Sequence, residues 1–304
     1  MIAEWGVLEN NTAVIEMASA AGIILLGGKP FDPLITSTYG VGQLIKEAVG
    51  CGIRNFIIGI GGSATNDGGA GMLEALGFEF LDADGNPIPR GAAGLSKLRT
   101  ISDAHADPLL KDCTFRIVCD VQNPLCGPNG CSRVFGPQKG ATEAQIVQMD
   151  AWLRNYAVIS GGDPDAPGAG AAGGLGYAFM TFLNSSLERG IDVVIEATGL
   201  ESHIAEADLV ITGEGRIDSQ TVMGKAPSGV AALAKRYNKK VIAFCGIATE
   251  DSNVCCDQGI DVICPIKSDS ITIEEAMKKD VASENLVAAA EQIIRRLISE
   301  GDLL

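Results

Sequence analysis

The sequence predicts an α/β protein of two domains, and three observations carry that prediction. From about residue 205, apolar strand patterns alternate with helical ones: strand at 208–212, helix at 225–237, strands at 240–245 and 261–265, and helices to the C-terminus. Strands that alternate with helices form parallel sheets through crossovers. An apolar run at 53–60 reads as a buried strand, and it empties into a loop with glycine at six of the thirteen positions 59–71. A length of 304 residues exceeds the usual single domain. The expected boundary lies near residue 204, with a mixed α/β domain over 1–204 that carries the glycine loop and a parallel-sheet domain over 205–304.

In chain order, the first elements are short apolar pieces at 3–8, 12–17 and 22–26, an unusual start for a sheet. A helix is expected over 36–49, then the 53–60 strand, its loop and an apolar helix from Met72. Residues 78–81 read as a strand before the turn signal Asp82-Ala83-Asp84-Gly85-Asn86, and 87–100 as irregular with a short helix. Residues 115–121 form a strand that feeds a turn-rich loop over 122–130 and a second over 135–140. Thr142 caps a helix with Ile146, Met149, Leu153 and Ala157 on one face, and 161–176 is rich in Gly, Pro and Ala.

Composition narrows the chemistry. The 23 basic against 38 acidic residues give a net charge of −15, which repels nucleic acid and anionic membranes over most of the surface. Nine cysteines, an odd number with no C-x-x-C pair, argue against a disulfide framework or a zinc ribbon. No export signal and no membrane span are read, so a cytoplasmic protein is expected. His105 and His203 stand in polar surroundings, each expected on an exposed helix, which disfavours a Ser–His triad or a His-based metal site. Ser63 lacks the second glycine of a nucleophile elbow, because Thr65 stands there. No G-x-x-x-x-G-K-[ST] box occurs.

Four loops could carry chemistry. The first holds Gly61, Gly62, Ser63, Thr65, Asn66 and Asp67, whose backbone N–H groups and short polar side chains suit a phosphate or another anion. A capped turn explains one or two of those side chains and leaves the others over. Gly59, Gly61 and Ala64, with Asp82 after the next strand, also satisfy the spacing of a dinucleotide fingerprint, so an NAD-dependent oxidoreductase is an alternative. A delayed helix start speaks against it. Gly168-Ala169-Gly170-Ala171-Ala172-Gly173 has the same spacing but follows Pro167 rather than a strand. The second loop places Asp120 and Asn123 at a strand end, suited to vicinal hydroxyls, a metal or an Asx turn. In the third, Lys139 either meets phosphate or is solvated. The fourth holds Glu214, Arg216, Asp218 and, at the next helix start, Lys225. Two carboxylates there could hold a metal or take a proton, and two cations could neutralise phosphate; a surface salt-bridge cluster is the other reading. Carboxylates, amides, glycines and a few cations are the toolkit of magnesium-dependent phosphoryl transfer.

Taken together, Gly61-Gly62-Ser63-Ala64-Thr65-Asn66-Asp67-Gly68-Gly69, Cys119-Asp120 with Asn123-Pro124-Leu125 and Gly127-Pro128, Phe135-Gly136-Pro137-Gln138-Lys139-Gly140, and Gly213-Glu214-Gly215-Arg216-Ile217-Asp218 resemble the type-I glycerate kinases. The segments 168–176 and 224–227 match as well, so the resemblance runs over essentially the whole chain. It implies a two-domain fold, one domain Rossmann-like and built from both chain ends, with the site in the cleft between. It implies phosphorylation of glycerate by ATP and Mg²⁺ to phosphoglycerate, 2-phosphoglycerate in bacterial members of this type. The partners implied are glycerate and ATP, with no nucleic acid or membrane, and a homodimer is admitted. Asp218 or Asp67 is the expected base, with Arg216 catalytic. Gly61, Gly62, Ser63, Thr65, Asn66, Asp120, Asn123, Lys139 and Lys225 are expected to bind substrate or nucleotide, and Glu214 and Asp218 the metal. The family's opening strand and its Asp-Ser-Phe-Lys and Ala-Asp-Gly-Gly-Glu-Gly stretches have no counterpart, so a shortened chain, or an inactive fragment of such a kinase, is a further expectation.

Overall fold

The computed structural model describes residues 2–27, 31–219, 221–268 and 270–301. It divides into two compact units, 1–188 and 189–304. The division falls ahead of residue 204 because the helices at 190–198 and 200–206 pack on a helix of the second unit.

The first unit is built on a five-stranded sheet. Its strands are β1 (Trp5–Val7), β2 (Thr12–Glu16), β3 (Asn55–Gly59), β6 (Thr114–Val118) and β7 (Ser185–Glu188), in the order β1-β2-β3-β6-β7. β1 is antiparallel to β2, and the other pairings are parallel. A separate ribbon pairs β4 (Glu79–Leu81) with β5 (Thr100–Ser102). β3 is central because Phe56, Ile57 and Ile58 are buried in succession, as a strand covered on both faces requires. Residues 23–26 form a 3-10 turn. The helices are α1 (Ala18–Ala21), α2 (Tyr39–Gly50), α3 (Ala70–Ala75), α4 (Cys131–Phe135), α5 (Glu143–Ser160) and α6 (Leu175–Phe182). α5 starts with a reciprocal capping box between Thr142 and Gln145.

The core of this unit gathers its aromatics. Phe56 stacks on Phe115 at 4.8 Å, and Tyr156 meets Tyr177 edge-on at 5.3 Å. Such pairs add about 0.5–1.5 kcal/mol each beyond the area they bury. The Phe56–Phe115 pair ties β3 to β6 near their amino ends, and the two strands run on together to their carboxyl ends. There the register sets Gly59 opposite Val118 as the last rung, so the two outgoing loops start side by side.

The second unit has a parallel sheet, β10 (Val262–Pro265), β9 (Lys240–Ala248) and β8 (Leu209–Ile217), in that order. α7 (Gly190–Thr198), α8 (Leu200–Glu206), α9 (Ala226–Arg236), α10 (Ile273–Ala276) and α11 (Lys279–Glu300) complete it. On one face Val210, Val241, Ala243 and Cys245 pack with Ala231 and Ala234 of α9. On the other, Ile242 and Phe244 meet Ile293 and Leu297 of α11. β8 runs five residues past the expected 208–212 strand, because it stays paired with β9 through Ile217. Glu214 and Arg216 therefore lie on a strand and not in a loop. His105 is in a turn rather than on a helix. No helix among the described residues is long and apolar enough to cross a membrane.

Candidate active site

The loops leaving β3 and β6 open a cleft of about 540 Å³ in the first unit. Gly61, Gly62, Ser63, Asp120 and Lys139 line it, with Ile23, Cys119, Val121, Phe135, Gln138 and Ala172. Its volume suits a small metabolite. Two other clefts of this unit, of about 150 and 750 Å³, contain none of the expected site residues.

The polar residues of the glycine loop divide their work. Asp67 does not reach the cleft: it is 0 % exposed, and its carboxylate accepts from Thr38 N at 2.8 Å, Thr38 Oγ1 at 3.0 Å, Gly69 N at 3.2 Å and Gly71 N at 3.3 Å. Met72 N donates in turn to Thr38 Oγ1 at 2.9 Å. Asp67 and Thr38 thus satisfy the first amides of α2 and α3, donors that a helix cannot pair internally. Burial outweighs these donors and raises the Asp67 carboxyl above the ordinary range. The expectation of Asp67 as a catalytic base is corrected accordingly: a carboxylate closed off by four internal donors has no substrate to touch. The capped-turn reading holds for this residue.

Asn66 is likewise buried, donating through Nδ2 to Ser132 Oγ at 2.8 Å, and Thr65 offers only its carbonyl to a neighbour. Neither side chain reaches the cleft, so both expected contacts with substrate become supports of the loop. Ser63 does line the cleft. Lys139, for which solvation was one reading, is 1 % exposed beneath the loop. Its Nζ donates to Ser63 Oγ and to Thr65 O, both at 2.7 Å. Burial pulls its ammonium down to about 8, against the raising influence of the Cys131 thiol and Asp67.

Asp120 is exposed on the cleft wall. Asn123 lies apart, its Nδ2 donating to Asn129 O at 2.9 Å and its carbonyl accepting from Gly170 N at 2.8 Å, so it shapes the turn behind. α3 begins at Ala70, well past the glycine triplet, which is the delayed start that argues against a dinucleotide fingerprint.

In the second unit Glu214, Arg216 and Asp218 recur at every second position at the carboxyl end of β8, where strand period puts alternate side chains on one face. Lys225, the residue before α9, reaches Asp218 Oδ1 at 3.5 Å and Glu214 Oε2 at 3.8 Å. Arg216 Nε lies 3.3 Å from Asp218 Oδ2. Thr221 Oγ1 donates to Glu214 Oε1 at 2.5 Å and accepts from the Asp218 main-chain N at 3.2 Å, tying the Glu214 carboxylate to the backbone of Asp218. The carboxylates are mostly covered, while the Arg216 side chain is 64 % exposed. Among the described residues no group of three or more His, Cys, Asp or Glu could hold a metal. Two carboxylates beside two cations match Mg²⁺ in the form it takes with nucleotides, bound by one or two carboxylates plus phosphate oxygens.

Sequence reasoning passed over Thr38, Ser132, Gln138 and Thr221. Of these Gln138, next to Lys139, and Thr221, three residues after Asp218, lie beside residues the sequence singled out; Thr38 and Ser132 act through contacts distant in sequence.

The model of the glycerate kinase family matches residues 1–298. The chain is 48 % identical over 301 residues to the glycerate 2-kinase of Escherichia coli K12, covering 97 % of this chain and 78 % of that one. It is 46 % identical over 290 residues to the glycerate kinase of Bacillus subtilis 168, covering 94 % and 75 %. The crystal structure of a candidate glycerate kinase 2 from Salmonella typhimurium LT2 superposes with a TM-score of 0.79 at 44 % identity, over 97 % of this chain and 80 % of the other.

Proposed function

Because the chain belongs to the glycerate kinase family, we propose that it transfers the γ-phosphoryl group of ATP to a hydroxyl of glycerate in the cytoplasm. The product is 2-phosphoglycerate. The observation that supports this most directly is the cluster on β8: two covered carboxylates and two cations, gathered where α/β sheets bind ligands.

Glycerate's hydroxyl oxygen forms the new bond to the γ-phosphorus, ADP leaves with the electrons of the broken bond, and the hydroxyl proton passes to an Asp218 Oδ. Arg216 and Lys225 face the charge on the transferring group and lower the barrier by preorganised electrostatics. Glu214 and Asp218 would hold Mg²⁺ delivered with the nucleotide. The ion supplies charge neutralisation at the phosphate oxygens. Thr221 keeps the Glu214 side chain and the Asp218 main chain in place. Ser63, Gly61, Gly62, Lys139 and Asp120 form a binding region of the first unit. A homodimer is compatible with these roles, since none of them requires a partner's residue.

A coupled assay of ADP release with D-glycerate and MgATP tests the assignment. Turnover is expected, and phosphorus NMR of the product should show a 2-phosphate. An absence of glycerate-dependent ADP release from folded protein would overturn the reading.

A further inference from the structure

Resting on that kinase reading, we propose that the Gly61-Gly62-Ser63 loop, with Lys139 as the positioning charge beneath it, is the seat of the hydroxy acid's carboxylate. The nucleotide phosphates then belong to the cluster on β8.

The first argument is a row of donors. Ile60 N reaches Val118 O at 3.5 Å and Ala64 N reaches Ala21 O at 2.9 Å, but the three amides between them, of Gly61, Gly62 and Ser63, meet no acceptor among the described residues. These residues line the cleft, and Gly61 and Gly62 have no side chain to cover their N–H groups. Gly62 sits at φ 72°, the left-handed conformation found where consecutive amides form an anion-binding concavity.

The second argument is the direction of a proton. Ser63 Oγ accepts from Lys139 Nζ, so its own hydrogen must point to another acceptor. The described residues offer none, although the side chain is 8 % exposed. A buried hydroxyl with an unspent donor, aimed from a cleft wall, calls for an acceptor from outside.

The third is charge. Lys139 forms no ion pair among the described residues, and its ammonium rests on a hydroxyl and a carbonyl. The ionisable groups facing it are Asp67, spent on the helix amides, and the Cys131 thiol. A buried cation without a partner is costly, and one bound monoanion would offset that cost.

The choice of carboxylate over phosphate follows from the opposite wall. Asp120 lines the same cleft. Its carboxylate oxygens accept hydrogen bonds, which the hydroxyls of a small hydroxy acid can donate and a fully ionised polyphosphate cannot. Among the described residues lining the cleft the one cation is Lys139, a match for one carboxylate. Arg216 and Lys225 supply two for the more highly charged phosphates.

Isothermal titration of D-glycerate, its uncharged amide and ADP into wild type, S63A and K139M tests the seat, with thermal melts confirming that each variant is folded. Wild type should prefer glycerate over the amide. Both variants should weaken glycerate at least tenfold, erase that preference and leave ADP within twofold. In the assay the KM for glycerate should rise while kcat stays within a few-fold. If K139M does not fold, S63A alone decides. Unchanged glycerate affinity, or a loss confined to ADP, overturns the seat while wild-type turnover preserves the kinase reading. A wild type that neither binds glycerate nor releases ADP overturns both.

Discussion

The two polar clusters use nearly the same residue types under opposite conditions. Asp67 and Lys139 are sealed beneath the glycine loop, each held by donors or acceptors of the protein itself. Asp218 and Lys225 face each other at the end of β8, with Lys225 39 % exposed and Arg216 more so. A sealed charge commits its hydrogen bonds to the fold, and removing it leaves its partners stranded. Charges near water are weakly coupled to stability, and their hydrogen bonds can be exchanged for those of a substrate. On the proposed reading, the contrast separates residues that shape the site from residues that act in it.

The sharpest way to break this contrast is D218A. Its kcat should fall by about 10²–10⁴, the range for losing a general base, while its unfolding free energy in urea falls by less than that of D67A. A near-normal rate would remove Asp218 from the chemistry. D67A should do the reverse, costing about 4 kcal/mol of unfolding free energy because several buried amides lose their acceptor. D67N, which keeps one carbonyl oxygen in place, should cost markedly less. Equal losses from the two would mean that the amides are not what Asp67 serves.

The third prediction concerns pH. Folding holds the Lys139 ammonium down to about 8 against an ordinary 10.5, so between those values the unfolded chain carries a proton that the folded one has released. Stability from this group therefore rises with pH across that window. Relative to K139M, wild type should gain about 3 kcal/mol between pH 7.5 and 10.5. Parallel stability curves for the two proteins would show that Lys139 keeps its ordinary proton affinity.

Much of the fold was legible because it rests on local pattern: apolar runs, the Thr142 cap, and strand and helix alternation after residue 205. The error at β8 has a local cause. Gly213 and Gly215 read as loop, yet β9 supplies pairing that carries the strand through them, with Gly213 opposite Phe244 and Glu214 opposite Cys245. The positions of the site loops were legible too, since glycines and polar residues at strand ends mark them. Burial was not. Asp67 is closed off by Thr38, 29 residues earlier, and Lys139 meets Ser63 across 76 residues. Whether a Lys or Asp is sealed or solvated depends on such distant packing, which no short window of sequence contains.

The glycines at 173 and 174 extend this point. A Cβ on Gly173 would run into the Thr65 carbonyl, and one on Gly174 would meet Gly68 Cα at 2.7 Å, while Gly68 N donates to Gly173 O at 3.0 Å. Two main chains lie directly on each other here, with no side chain between them to yield. Any movement of the 168–176 segment is therefore passed undamped to the loop above Lys139, and the pair should exchange amide hydrogens with solvent as a single unit.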